Sequence, residues 1–309
     1  VLSSEEDRIR HLLRRAGFGA NQNDMEKYME MGLAGTVDHL LNYESVDDSE
    51  LEELLANLDI DVNNRLGLER WWMLRMIYTE RPLQEKMVVF WHGLLTSSFR
   101  RTGKAPAMYN QNQLFRSHAL GDYDVLLKAV SRDPAMLLWL DSRTNRKKAP
   151  NENFARELME LFSMGVGNYT EDDVRESARA FTGWFLRGER GLKPGFLKFE
   201  FEQRQHDYGQ KIFLGQQGSF DGDDVVDIIL QQPVSAEFIS RKLFKFFVHE
   251  EPDDDLIQRL SRTFRESHYS VRSVMREILL SDEFYSPRAY RALVKSPTEI
   301  VAGTVRRLG

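Results

Sequence analysis

The stretch PNENFARELMELFSMGVGNYTEDDVRESARAFTGW, residues 150–184, predicts two helices joined by a glycine-containing corner. Apolar side chains recur every three or four residues in both halves, which is the spacing of one buried helix face. Gly165 and Gly167 favour the left-handed backbone conformation that ends a helix, and Thr170 is suited to cap the next one. The helical periodicity returns along most of the chain, so we predict an all-α fold organised around this pair.

The face opposite the apolar side chains of the first helix carries Asn153, Arg156, Glu157 and Glu160. In one interpretation it is a solvated face on which Arg156 and Glu160, at i and i+4, form an ion pair. In the other it turns inward, so that Glu157 and Glu160 share a metal ion or have perturbed pKa values. Spacing alone favours the solvated face, because most charged side chains stay in water.

A small β-hairpin insertion is predicted near residues 196–214, where the helical pattern gives way to alternation. Phe199 and Phe201 alternate with charged residues and indicate a strand. Residues 212–214 are apolar, end at a glycine and are interpreted as its partner strand.

The loop inside this hairpin places a titratable group, an acid and a cation close together, as His206, Asp207 and Lys211. These three side chains suit a proton-transfer pair or part of a metal site. The simpler interpretation is a structural loop in which Asp207 pairs with Lys211. The sequence favours this simpler interpretation.

His92 lies on a largely apolar helix that is predicted to begin at Pro82. A single histidine on such a helix is most often a hydrogen-bonded core residue, and the alternative is a metal ligand. Its function therefore depends on which side chains the fold brings to it.

A length of 309 residues allows one large domain or two, and 41% hydrophobic residues are ample for a core. We predict a single helical domain over residues 1–309. The net charge of −6 argues against a nucleic-acid-binding protein. The absence of cysteine excludes disulfides and thiolate chemistry. No apolar run approaches the roughly 18–20 residues of a membrane span. A chain that begins at Val1 fits an exported or periplasmic protein whose signal peptide was removed; without such a signal it would be cytoplasmic.

Several motifs together resemble the bacterial domain-of-unknown-function 1800 family along nearly the whole chain. They are HLLRRAGFG (11–19), PLQEKMVVFWH (82–92), DPAMLLWLD (133–141), the long stretch at 151–184 and HDYGQKIFLG (206–215). The resemblance implies a mostly helical and often exported bacterial protein. It also implies a protein partner, since family genes often neighbour a sulfatase-like family numbered 1501. Relatives usually continue past the position of Gly309, so the C-terminal end usual in the family is expected to be missing.

One position departs from the family pattern next to His92. Relatives commonly carry a second histidine two residues later, where this chain has Leu94. If that pair binds a metal in relatives, half of it is absent here.

Two hypotheses about function follow. In the first, the protein is a non-catalytic partner or scaffold of an exported enzyme system. In the alternative it is a metal-dependent, hydrolase-like enzyme that holds a divalent cation and a water of lowered pKa. The metal ligands would be His92, Glu157, Glu160 and His206. The catalytic groups would be Glu157, Glu160, His206 and Asp207, with Arg156 or Lys211 as the electrophilic partner. The first hypothesis is favoured because no nucleophile, base and orienting residue can be identified together.

Overall fold

The computed structural model describes residues 2–142, 145–188 and 197–308. Helices dominate these ranges, and the strands form only two small two-stranded sheets. The prediction of a mostly helical fold with a small hairpin insertion is confirmed. None of the described helices combines the length and apolar character needed to cross a membrane.

The elements of the described residues alternate with short connections. The helices are α1 (Glu5–Arg15), α2 (Gln22–Leu41), α3 (Ser49–Asn57), α4 (Arg65–Tyr78), α5 (Pro82–Leu94), α6 (Phe99–Thr102), α7 (Ala105–Ser117), α8 (Tyr123–Ser131), α9 (Pro134–Trp139), α10 (Glu152–Glu157), α11 (Glu171–Ala180), α12 (Gly222–Gln231), α13 (Pro233–Phe247), α14 (Asp254–Glu266), α15 (Val271–Leu280) and α16 (Pro297–Leu308). The strands are β1 (Trp184–Gly188), β2 (Leu197–Phe201), β3 (Lys211–Phe213) and β4 (Gln216–Gly218).

The chain divides into two compact units. The first comprises Val1–Phe90, Ala119–Gly121 and Ser240–Gly309, and the second comprises Trp91–His118 and Asp122–Ile239. The organisation of residues 1–309 as one domain stays a prediction.

The first unit begins with α1, whose start is fixed by a capping box between Ser4 and Asp7. The Asp7 amide donates to Ser4 Oγ and the Ser4 amide donates to Asp7 Oδ2, so two amides at the helix start are satisfied. Behind this cap, Ile9 and Leu12 are fully buried at helical spacing. The sequence pattern therefore determines both where α1 begins and which face it buries.

The second unit places α10 and α11 against β1 through aromatic contacts. The Phe154 ring lies edge-on to Phe181 at 5.0 Å, and Phe181 lies edge-on to Trp184 at 4.9 Å. Edge-to-face pairs at this separation are favourable beyond the apolar area that they bury. These contacts hold the two helices of residues 150–184 against the insertion that follows them.

The insertion consists of two separate antiparallel pairs. β1 pairs with β2, so that Trp184 lies opposite Phe201, and β3 pairs with β4, so that Phe213 lies opposite Gln216. The expectation that residues 212–214 pair with the strand at 199–201 was wrong, because β2 is occupied by β1 and a tight turn follows β3 immediately. Residue 196, where the predicted hairpin began, lies outside the described residues.

The helix α10 continues into a π-helical segment, Leu158–Ser163, that sequence periodicity did not indicate. Ser163 Oγ donates to the carbonyl of Leu158 at 2.5 Å, five residues back, and the amides of Met164 and Gly165 both donate to the Met159 carbonyl. The segment widens the helix just before the glycine corner. It therefore changes the direction in which Glu160 projects relative to an ideal α-helix.

Candidate functional site

The charged face of α10 is paired with the start of α11. Arg156 donates from Nη1 and Nη2 to the two carboxylate oxygens of Glu171, at 2.6 and 2.9 Å, and a second carboxylate, Glu152, lies at 3.5 Å. The hydrogen bond from Arg156 lowers the pKa of Glu171. The expected Arg156–Glu160 pair was wrong, because the corner between the helices brings the first turn of α11 to the guanidinium.

Glu160 instead accepts a hydrogen bond from the Tyr169 hydroxyl, at 2.9 Å. Burial and this contact raise the pKa of Tyr169 to about 12. Glu157 is half-buried and, among the described residues, makes no ion pair or hydrogen bond. Burial and then repulsion from Glu160 raise the pKa of Glu157. Of the candidate residues, Glu157 is therefore the carboxylate with the least compensated charge.

The insertion is held to α11 by a set of charged side chains that we name the α11 clamp: Asp173, Glu176 and Arg179. Arg179 Nε donates to Asp207 Oδ2 at 2.8 Å, and Nη1 donates to both Glu176 oxygens and to the Gln210 carbonyl. The hydrogen bond from Arg179 lowers the pKa of Asp207, and the same hydrogen bond raises the pKa of Arg179. Asp207 is therefore ionised, and its carboxylate is held by Arg179.

The two acids of the α11 clamp bind backbone amides at β3. Glu176 Oε2 accepts from the Ile212 amide at 3.1 Å, and Asp173 Oδ1 accepts from the Leu214 amide at 2.8 Å. The sequence patterns did not identify the partners of these two acids. The available signal was the recurrence of charge at 173, 176 and 179, which lines one side of a helix.

Lys211 is almost fully buried, and its ammonium donates to two backbone carbonyls. The Nζ atom lies 2.6 Å from the Asp207 carbonyl oxygen and 3.1 Å from that of Gly209. Burial lowers the pKa of Lys211. The expected pairing of Lys211 with the Asp207 carboxylate was wrong, because that carboxylate turns to Arg179 and the lysine closes the loop through backbone oxygens.

His206 is buried and fixed by the end of α11. Its Nδ1 lies 2.7 Å from the Thr182 carbonyl oxygen, and because a carbonyl only accepts, Nδ1 carries the proton. The Asp207 amide donates to Thr182 Oγ1 at 2.8 Å, so Thr182 holds two consecutive residues. The imidazole packs edge-on against Tyr208 at 4.5 Å. His206 therefore serves here as part of the loop's packing.

His92 lies on α5, where its ring packs edge-on to Phe115 of α7 with centroids 6.5 Å apart. Burial lowers the pKa of His92. Across residues 2–142, 145–188 and 197–308, no group of three or more His, Cys, Asp or Glu side chains is arranged to hold a metal ion. No three of His92, Glu157, Glu160 and His206 therefore form the predicted metal site in this structure.

Apart from His92 on α5, the candidate residues thus form two clusters, one near each end of α11. Arg156, Glu157 and Glu160 surround the start of α11, whereas His206, Asp207 and Lys211 surround its end. Glu171 and Arg179 are eight residues apart, roughly 12 Å along the helix axis. What the arrangement does is hold two neighbouring segments onto α11.

Comparison with known proteins identifies the family of the chain but no characterised relative. A family model described as "Protein of unknown function (DUF1800)" matches residues 11–308, nearly the whole chain. No curated protein and no solved structure matches the chain significantly.

Proposed function

We propose that this chain, which belongs to the DUF1800 family, is a non-catalytic scaffold that binds a partner protein. The observation that carries the proposal is the engagement of nearly every candidate catalytic side chain in contacts within the chain. Arg156 binds Glu171, Arg179 binds Asp207, and Lys211 binds two carbonyls. Groups held in this way position backbone rather than exchange protons with a substrate.

The chemistry expected of an active site argues in the same direction. A general base needs a pKa near the working pH and a free lone pair directed at the substrate. Asp207 has a lowered pKa and accepts from Arg179, while the ammonium of Lys211 is enclosed by backbone oxygens. The α11 clamp is better suited to keep the insertion in a fixed place for recognition.

The insertion offers a surface that fits an acidic partner segment. A cleft of about 370 Å³ opens beside β1, and its lining is Arg146, Phe185, Leu186, Arg187, Glu202 and Gln205. Two guanidinium groups contact the Phe185 ring, with Arg146 at 5.8 Å and Arg187 at 5.9 Å from its centroid. Arg187 is paired with Glu200 and Glu202, whereas Arg146 has no carboxylate partner among the described residues.

The charges at this cleft define the chemistry of the partner. Arg146, Lys147 and Lys148 are consecutive and exposed, so the rim beside the cleft is basic. A partner segment with acidic residues would gain electrostatic steering and an aromatic contact at Phe185. The family resemblance suggests which protein supplies it, namely a member of the sulfatase-like 1501 family.

The proposal is tested by measuring binding between the purified chain and a family-1501 protein from the same genome. The variant Arg146→Glu/Lys148→Glu reverses the basic rim, and Arg262→Glu/Arg265→Glu reverses two exposed charges on α14 as a matched control. We expect the rim variant to weaken Kd at least about tenfold, equal to about 1.4 kcal/mol, and the control to leave it unchanged. No binding by the parent, or equal effects of both variants, would overturn the proposal.

Glu157 is the observation that favours the alternative, a metal-dependent hydrolase. It is half-buried, it is one turn from Glu160, and its pKa is raised. A divalent cation between the two carboxylates would relieve that repulsion and could activate water. The two candidate functions differ in whether the folded chain retains such a metal.

A further inference from the structure

A separate cluster of cations lies within the first unit. It consists of Arg14 at the end of α1, Lys295 before α16, and Arg307 in the last turn of α16; we name it the Arg14 cluster. The carboxylate of Glu299 is close to it, but Glu299 forms an ion pair with the buried Lys86. Among the described residues, no carboxylate pairs with Arg14, Lys295 or Arg307.

Close backbone packing brings these side chains together. A Cβ atom on Gly303 would lie 2.4 Å from the Phe18 carbonyl oxygen, so α16 packs directly against the turn after α1. The same position is 3.4 Å from Lys295 Nζ, which places the ammonium against the middle of α16. A Cβ on Gly19 would lie 3.5 Å from Arg307 Cγ. Lys295 and Arg307 therefore lie beside the turn after α1. Arg14, in the last turn of α1, is close enough to Arg307 for repulsion between them to add to burial, the main cause that lowers the pKa of Arg14.

The polar contacts within the cluster leave donors unused. Arg14 Nη2 lies 3.1 Å from His11 Nδ1, and its guanidinium stacks over Tyr290 at 5.5 Å from the ring centroid. Arg307 Nε donates to the carbonyl of Gly303, in its own helix, at 2.8 Å. No described group accepts from the terminal nitrogens of Arg307. These nitrogens are therefore available to a ligand.

The neighbouring Arg15 adds charge without neutralising any. Its Nε and Nη2 donate to the carbonyls of Phe247 and Phe246, at 3.0 and 2.7 Å, at the end of α13. Burial and then repulsion from Arg307 lower the pKa of Lys295, and Arg14 and Arg15 contribute to the same repulsion. Glu299 opposes this repulsion and favours the charged forms of Lys295 and Arg15, but its carboxylate is already paired with Lys86.

Helix dipoles account for only part of this arrangement. Arg14 and Arg307 lie in the last turns of α1 and α16, where the negative end of a helix dipole stabilises a cation. Lys295 lies just before the start of α16, where the dipole is unfavourable to positive charge. The charge of Glu299 favours the ammonium of Lys295, but the same carboxylate is paired with Lys86.

We propose that the Arg14 cluster binds a phosphate-sized oxyanion through Arg14, Lys295 and Arg307. Guanidinium groups present planar donors that match the geometry of phosphate oxygens, and a lysine ammonium adds a compact point charge. The site shares no residue with the cleft proposed to bind a partner protein.

The test is calorimetric titration of the folded chain with inorganic phosphate and, separately, with glycerol phosphate. A titration with sodium chloride at equal ionic strength is the control for the general effect of salt on the protein's charges. The variant Lys295→Gln/Arg307→Gln removes two charges of the cluster, and Arg262→Gln/Arg265→Gln removes two exposed charges of α14. We expect the parent and the α14 control to bind phosphate alike and the cluster variant to bind at least about tenfold more weakly. Binding of inorganic phosphate alone would identify the ligand as the free ion, and equal binding of the ester would identify it as a phosphoryl group.

A second variant separates loss of the site from loss of the fold. Lys295→Arg retains the charge and should keep phosphate binding within about threefold, whereas Lys295→Met should lose it, both with parental circular dichroism. Equal phosphate binding by Lys295→Met and the parent would overturn the proposal, as would a heat signal that chloride reproduces.

Discussion

Arg179 and Asp207 are joined by a hydrogen bond of 2.8 Å between Nε and Oδ2, which ties the last turn of α11 to the loop before β3. The same guanidinium binds Glu176 and the Gln210 carbonyl, so one side chain makes contacts with three partners. Arg179 and Asp207 are 28 residues apart in sequence. The position of the insertion therefore depends strongly on one arginine.

Replacing Arg179 should loosen the insertion without unfolding the protein. We expect Arg179→Gln to lower the free energy of unfolding by about 1–3 kcal/mol, because charge-assisted hydrogen bonds of a partly buried group are lost. Arg175→Gln, on the exposed side of the same helix, should change it by less than about 0.5 kcal/mol. Urea unfolding gives both values, and equal effects of the two variants would contradict the clamp.

Gly183 should tolerate no side chain. Its φ of +86° is unfavourable for other residues, and a Cβ atom would lie 2.9 Å from Phe201 Cε2 and 3.0 Å from the Glu202 carbonyl oxygen. We expect Gly183→Ala to lower the free energy of unfolding by about 1–3 kcal/mol, because the backbone is strained and β2 is displaced. Gly188→Ala is the matched control, since no atom of the described residues lies within 4 Å of its Cβ position. Thermal unfolding of both variants checks the expectation. Equal melting temperatures for the two variants would contradict it.

Asp133 should make stability fall as the pH rises. Burial raises its pKa to about 7 from an ordinary 3.8, although the Met136 amide and the Gln111 side chain donate to it. Between pH 3.8 and 7 the folded state binds more protons than the unfolded state, so this residue lowers the free energy of unfolding as the pH increases.

Asp133→Asn keeps an acceptor for both donors and removes the charge. We expect it to stabilise the protein by roughly 2–4 kcal/mol above pH 7 and to have little effect near pH 4. Urea unfolding of parent and variant at several pH values measures the difference. A difference that is constant with pH would contradict a raised pKa.

Removing one partner of the Lys86–Glu299 ion pair should lower the stability of the protein more than removing both partners. Lys86 is 1% exposed, and its ammonium also lies 5.3 Å from the Phe18 ring centroid. We expect Glu299→Gln to destabilise by about 3 kcal/mol, since a buried ammonium loses its counter-charge. Lys86→Met/Glu299→Leu should recover most of that loss. If the double variant is the less stable of the two by urea unfolding, the explanation fails.

Much of the fold could be predicted from local sequence patterns. The apolar periodicity at 150–184 predicted both helices, and Thr170 does cap α11 in a capping box with Asp173. Such features depend on residues that are three or four positions apart, so they can be identified in the sequence alone. The π-helical segment at Leu158–Ser163 was not predicted, because it depends on how the helix packs rather than on spacing.

The contacts of the candidate site could be predicted only in part. The sequence identified Arg156, Asp207 and Lys211 as charged groups that pair, but it assigned neighbours in sequence as the partners. The structure pairs Arg156 with Glu171, 15 residues away, and Asp207 with Arg179. Each partner is set by the packing of α10, α11 and the insertion, which no local pattern contains.

The most direct test of the central claim, that the charged face of α10 and α11 is structural, is elemental analysis of the purified, untagged protein. It is made on the parent and on Glu157→Gln/Glu160→Gln, with circular dichroism to show that both are folded. We predict far less than one metal ion per chain in both proteins, and a free energy of unfolding that differs by less than about 1 kcal/mol. A near-stoichiometric divalent metal in the parent that is lost from the folded variant would contradict the claim and favour the hydrolase.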